Sequence, residues 1–189
     1  MNRILILAII MTTFFMEGCV SNNEEAISYF DSVYLPIQEV VELDNIFQES
    51  LQGQLIAADE ISFKDSNDSL NEEDYTKSIN EIDSTYLNLS NYLSKELVNI
   101  SNTTIYNNES GLQRAAVATL TDYTEVVKSD FSEMILIIKK DSITEADNDR
   151  FNQLLKQSTN RLNTSLDLFY NQALEYGDRY EIDLEYEDE

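Results

Sequence analysis

Apolar and polar positions along most of this chain recur at helical rather than strand-like spacing. From Tyr75, the residues Ile79, Ile82, Tyr86, Leu89, Leu93, Leu97 and Ile100 follow one another in steps of four or three. The same steps link Leu112, Ala116, Thr119, Tyr123, Val127, Phe131, Met134 and Ile138, and again Phe151, Leu155, Ser158, Leu162, Ser165, Phe169, Ala173, Tyr176 and Tyr180. Such steps stack side chains on one face of a helix and leave Asp, Glu, Asn and Lys on the other. A less regular first stripe uses Ile27, Phe30, Tyr34, Ile37, Val41, Phe47, Leu51, Leu55 and Ala58. Pro36 is expected to kink or restart that helix, and Gly53 weakens it.

Helix starts are signalled by Ser69-Leu70-Asn71-Glu72, Ser110-Gly111-Leu112-Gln113 and Ser142-Ile143-Thr144-Glu145, each of which fits a capping box. Lys139 and Lys140 suit the last turn of the third helix, where the dipole favours cations. Helices are therefore expected at about 24–61, 69–100, 110–140 and 144–177, joined by polar loops. Helices of about 30 residues, ~45 Å long, can bury such stripes only against one another. The expected fold is all-α: one domain over 24–177, an antiparallel four-helix bundle in up-down-up-down order. A dimeric assembly of long helices is the alternative, and the oligomeric state stays open. In the tail, 178–189, Tyr180, Ile182, Leu184 and Tyr186 alternate with charges as in a strand. With no partner strand predicted, a flexible acidic tail is expected there.

Composition sharpens this picture. The chain has only 4 Gly and 1 Pro, which favours long helices, and its hydrophobic content of 42% suits a globular domain. Against 12 Lys and Arg stand 36 Asp and Glu, for a net charge of −24. Such a surface repels nucleic acid and anionic headgroups, and favours cations or a basic protein partner; it also keeps a chain well solvated.

With no His, no Trp and one Cys, the chain lacks the parts for His- or Cys-based zinc sites, Ser-His-Asp triads and Cys-His dyads. No intramolecular disulfide is available. Asp65, Asp68, Glu72, Glu73 and Asp74 form the densest acidic cluster, but Leu70 and Thr76 stand where a calcium loop needs Gly and a bidentate acid. Asp141, Glu145, Asp147 and Asp149 read likewise as solvated or helix-capping acids. A di-iron site needs Glu-x-x-His, which is absent. A carboxylate-based glycosidase needs a cleft with sugar-stacking aromatics. No catalytic residue, metal or cofactor is expected. The Tyr and Phe side chains fall mostly on the stripes, with the hydroxyls of Tyr75, Tyr86 and Tyr123 reaching polar partners or the bundle ends.

The first residues carry a different signal. Arg3 is followed by an apolar run, Ile4 to Met16, too short to span a bilayer, and then by Gly18-Cys19. This arrangement resembles the lipobox of bacterial lipoproteins, with Met16 and Glu17 where Leu and a small residue are usual. The resemblance implies removal of residues 1–18, lipidation of Cys19 (including palmitate-type acylation) and a tether over 19–23. Val20-Ser21-Asn22-Asn23-Glu24-Glu25 resembles the surface-export signal of Bacteroidota lipoproteins and is equally a plain helix start.

Asp-Ser pairs at Ser32, Ser69, Ser84 and Ser142 resemble the O-glycosylation sites of that lineage. The ending Phe169-Tyr170-x-x-Ala173-Leu174-Glu175-Tyr176 is similar to endings of helical surface lipoproteins of Bacteroidota and spirochaetes, which implies no functional residues. The expectation is a non-enzymatic lipoprotein of the outer membrane or cell surface, attached to the membrane by its lipid and acting through binding. The alternatives are an immunity-like lipoprotein that neutralises a basic toxin, and an envelope enzyme built on carboxylates.

Overall fold

The computed structural model describes residues 24–52, 72–140 and 142–183, except the side chains of 72–76. Four helices pack against one another, and no strand occurs among the described residues. We label residues 24–52 α1 and Glu72–Asn102 α2. Helix α3 has three stretches: α-helical Gly111–Val126, π-helical Val127–Phe131 and α-helical Ser132–Ile138. Helix α4 is Glu145–Tyr180. A short 3-10 turn, Tyr106–Asn108, lies between α2 and α3. The expected helical residues 53–61 and 69–71 lie outside the described residues.

The π-helical turn follows from the stripe of α3. Thr119, Tyr123, Val127 and Phe131 are separated by three consecutive steps of four, and each overshoots a 3.6-residue turn by about 40°. Over three steps the stripe would swing away from the core. A π-helical turn holds more residues and absorbs the drift. All eight stripe positions of α3 are buried, including Val127, Phe131 and Met134 on and beyond that turn.

The other stripes are met with small shifts. Ile82, Leu89, Leu93 and Ile100 of α2 are buried, and in α4 it is Leu154 rather than Leu155 that is fully covered. Helix α1 buries Ala26, Tyr29, Phe30, Val33, Ile37, Val40, Phe47 and Leu51, while the expected Ile27 is exposed and Val41 half-buried. Pro36 does not end or restart α1, because Val33 and Ile37 on either side of it are fully buried and hold the helix across the missing N–H.

Aromatic contacts tie the helices at several levels. Near the start of α1, the Tyr29 and Phe30 rings lie 5.5 and 5.9 Å from Tyr176 of α4. Near its other end, Phe47 lies 4.8 Å from Phe131 and 6.1 Å from Tyr86. Between α3 and α4, small polar residues let the backbones approach: Thr119 Oγ1 donates to the Ser165 carbonyl at 3.1 Å, and Ser165 Oγ to Asp122 at 2.8 Å. Arg161 pairs with Asp122 and Glu125, Arg150 with Glu133, and Lys139, the C-cap of α3, with Asp83 of α2.

Two expected helix ends are corrected. The capping box of α4 is Thr144 with Asp147, not Ser142 with Glu145. Thr144 is extended (φ −89°, ψ 165°), its side chain accepts from the Asp147 N–H, and Asp147 accepts from the Thr144 N–H. Lys140 pairs with Asp147 and favours that register. The tail was expected to begin at Asp178, yet α4 continues to Tyr180 and closes with Glu181 in the left-handed region (φ 53°). The Ile182 N–H bonds to the Gly177 carbonyl at 2.9 Å, and Tyr180 and Ile182 pack on the core. Leu184 and the residues after it lie outside the described residues.

Replacing Leu89, fully buried in α2, by Ala should cost about 2–5 kcal/mol in urea unfolding. Leu136→Ala, at a position 67% exposed, should stay within about 0.5 kcal/mol of the parent chain.

Candidate functional site

Among the described residues, those singled out in the sequence are not brought together. Cys19, Ser69, Asp65 and Asp68 lie outside the described residues, as do the side chains of Glu72, Glu73 and Asp74. Ser32 is exposed on α1 and donates to the Tyr29 carbonyl at 2.7 Å. Ser84 is exposed on α2, and Ser142 is exposed between α3 and α4. Asp147 belongs to the cap of α4; its hydrogen bond from Lys140 and those from Thr144 hold its carboxyl down at about 2. Glu145 and Asp149 are exposed. Among the described residues, no group of three or more His, Cys, Asp or Glu is placed to hold a metal ion.

What the fold does assemble is an open cleft of about 690 Å³ at the end where the described part of α1 begins. Glu25, Ser28, Tyr29 and Ser32 fall at spacings of three, one and three, so α1 offers one face to it, and residues 103–107 supply the opposite wall. That wall is fixed from below by Gln113. Its side chain was expected in a capping box with Ser110, but Ser110 makes no side-chain cap. Instead the buried Gln113 amide donates to the carbonyls of Ile100 and Thr103, both at 2.7 Å. One side chain thus satisfies the Thr103 carbonyl just past α2 and adds a second donor to the Ile100 carbonyl, which also accepts from the Thr103 N–H at 3.1 Å.

The turn that follows places Asn107 and Asn108 in the left-handed region (φ 50° and 62°), which Asn tolerates better than most residues. It leads to Glu109, whose carboxylate accepts from Arg179 at 2.7 Å and from the Tyr180 hydroxyl at 3.0 Å. The hydrogen bond from Arg179 is the main reason its pKa lies below the usual range. Tyr106, Tyr180, Tyr176 and Tyr29 form a run of rings behind the cleft, with successive centroids 5.4, 4.6 and 5.5 Å apart. Burial raises the pKa of Tyr29 and Tyr176, so both stay neutral. The cleft offers a carboxylate, hydroxyls and aromatic surface, a set suited to holding a cationic or hydroxyl-bearing group.

A second polar feature lies in the core itself. Asp44 is 5% exposed and occupies a stripe position of α1 between Val40 and Phe47. Gln48 Nε2 donates to its carboxylate at 3.1 Å, and the hydroxyl of the buried Tyr123 of α3 lies near enough to act on its ionisation. Burial dominates and pushes the Asp44 pKa up to about 6, while Gln48 and Tyr123 pull it partway back. Sequence reasoning missed this group, although the α1 stripe leaves a six-residue gap between Val41 and Phe47 with Asp44 at its centre. Glu96, also buried, is paired with Lys95 at 2.9 Å and accepts from Asn99.

No helix among the described residues is long and apolar enough to cross a membrane. No protein-family model, curated protein or solved structure matches the chain.

Gln113→Ala should take its partner from the Thr103 carbonyl, leave the Ile100 carbonyl only the Thr103 N–H, and cost about 1–3 kcal/mol in urea unfolding. Amide exchange should rise at residues 103–110 before the rest of the bundle. Uniform exchange along the chain would mean that Gln113 does not fix the cleft wall.

Proposed function

We propose that this chain is a lipid-anchored, non-enzymatic protein of the bacterial cell envelope that acts by binding a basic partner at the membrane surface. The observation that carries the reading is the placing of the cleft. It opens at the end of α1 that leads back to Cys19, within a chain of net charge −24. Cys19 precedes residue 24 by five positions, so lipid on it would hold that end within about 18 Å of the membrane. Two or three acyl chains, at ~0.8 kcal/mol per buried methylene, suffice for stable anchoring.

The fold reading that goes with this is an antiparallel, up-down-up-down bundle. Contacts of the first turns of α1 with the last of α4, and of Lys139 with Asp83, support that order. Beyond Cys19 the chain keeps 35 acids and 11 bases, so export leaves its charge at −24. An immunity-like role is the case in which the basic partner is a toxin.

Cys19→Ala should move the protein from the detergent phase to the soluble fraction. Unchanged partitioning, with residues 1–18 still attached, would make the anchor an uncleaved segment. A partner recovered from envelope extracts should associate clearly more slowly at physiological than at low salt, while dissociation changes less. An association rate indifferent to salt would remove charge from the recognition.

A further inference from the structure

The wall of the cleft formed by residues 103–107 is held at both ends and open in the middle. Thr103 donates its N–H to the Ile100 carbonyl and its hydroxyl to the Asn99 carbonyl, both at 3.1 Å. Its own carbonyl accepts from Gln113 at 2.7 Å. At the other end the Tyr106 carbonyl accepts from the Glu109 N–H at 2.9 Å, and the Tyr106 ring packs on Tyr180. Between these anchors, the N–H and carbonyl of Thr104 and the N–H of Ile105 enter no hydrogen bond among the described residues. Ile105 is extended (φ −66°, ψ 124°), with its side chain 39% exposed. A fixed, extended stretch with open main-chain groups can pair with a peptide without further ordering of its own backbone.

The facing wall supplies the charge. Among the described residues, those lining the cleft include one carboxylate, Glu25, and no cation. Glu25 and Ser28 are exposed on α1, and neither side chain has a hydrogen-bond or ion-pair partner among the described residues. Tyr29 and Tyr106 add aromatic surface and Ile105 aliphatic surface, which suit the stem of a Lys or Arg side chain whose head reaches a carboxylate. An open cleft of about 690 Å³ has room for a short run of chain as well as that side chain.

We infer that the cleft takes an extended, basic peptide segment: its main chain pairs with Thr104 and Ile105, and one Lys or Arg side chain crosses to Glu25. Such binding rests on the reading that the partner is basic, and adds the conformation in which that partner is held. A net charge of −24 draws any cation. Open main-chain groups facing a single carboxylate select a cation carried on extended chain.

The probe is the singly charged pentapeptide acetyl-Ala-Ala-Lys-Ala-Ala-amide, titrated into the full chain and followed by NMR. Saturable shifts are expected at the amides of Thr104 and Ile105. Glu25→Gln should weaken binding about tenfold, the loss of one charge-assisted hydrogen bond. Glu49→Gln removes the same charge from an exposed position ~36 Å further along α1, and should change affinity less than about twofold. Ile105→Pro removes one main-chain donor without straining a residue already at φ −66°, and should weaken binding about threefold. Butylammonium, the same cation without a peptide chain, should bind at least about tenfold more weakly than the pentapeptide.

Equal losses in the Glu25 and Glu49 variants, or shifts that do not saturate, would overturn this mode in favour of attraction by the whole surface. Parent-like binding by Ile105→Pro, or equal affinity for butylammonium, would overturn it by showing that the main chain is not read. Failure of the broader reading is separable. If the pentapeptide binds as described but envelope extracts yield no basic partner, the functional reading falls alone. If a basic partner binds both cleft variants as it binds the parent, the peptide-binding mode falls alone.

Discussion

Four amphipathic helices stay dry only while every stripe keeps facing the same axis along its whole length. A regular helix turns by 100° per residue, so a stripe written in steps of four drifts steadily away from its partners. Much of this molecule can be understood as the management of that drift. In α2 and α4 the steps of four are offset by steps of three, and both helices run through 31 and 36 residues without interruption. In α3 three successive steps of four are not offset, and the backbone itself gives way at Val127–Phe131. The π-helical turn is less a defect than the cost of keeping Tyr123, Val127 and Phe131 inward together.

That solution places the irregular part of α3 beside the polar part of α1. Asp44 occupies a position that the geometry of α1 reserves for an apolar side chain, and Tyr123 is among the largest fully buried residues of the core. The Gln48 amide satisfies the carboxylate but does not neutralise it. Buried polar groups that are hydrogen-bonded but uncompensated favour one register over others at some expense of stability. The aromatic layers on either side, Phe47 with Phe131 and Tyr34 with Phe169, then fix how far α1 can slide.

The helices and their buried faces were legible in the sequence because spacing alone determines which side of a helix is covered. Every stripe residue proposed for α3 is buried, and those of α4 shift by a single neighbour, Leu154 for Leu155. What resisted reading was set by tertiary contact. Gln113 looked like a local capping residue, but the end of α2 lies within its reach and offers the carbonyls of Ile100 and Thr103. The tail looked unattached, but Arg179 and Tyr180 find Glu109 across the end of the bundle. Asp44 carried no signal of its own in an acid-rich chain, and only the gap in its stripe marks the place. The cleft was not legible at all, because it is formed by a connection whose course depends on the left-handed Asn107 and Asn108.

The distribution of charge closes the argument about what the surface is suited to. Lys95, Lys139, Lys140, Arg150, Arg161 and Arg179 are each engaged with acids of the chain, most of them between helices or across the bundle's end. Exposed pairs of this kind add little stability, typically below about 1 kcal/mol each. Their larger effect is on the field: cations drawn into internal pairs each cancel an acid close by, and the excess of acids is left facing solvent. The proposed reading uses that excess, since an acidic field favours a counter-charged partner. At the cleft one acid, Glu25, stands beside the rings of Tyr29 and Tyr106. On the reading proposed above, that pairing of a carboxylate with aromatic surface is where attraction of a basic partner would turn into recognition.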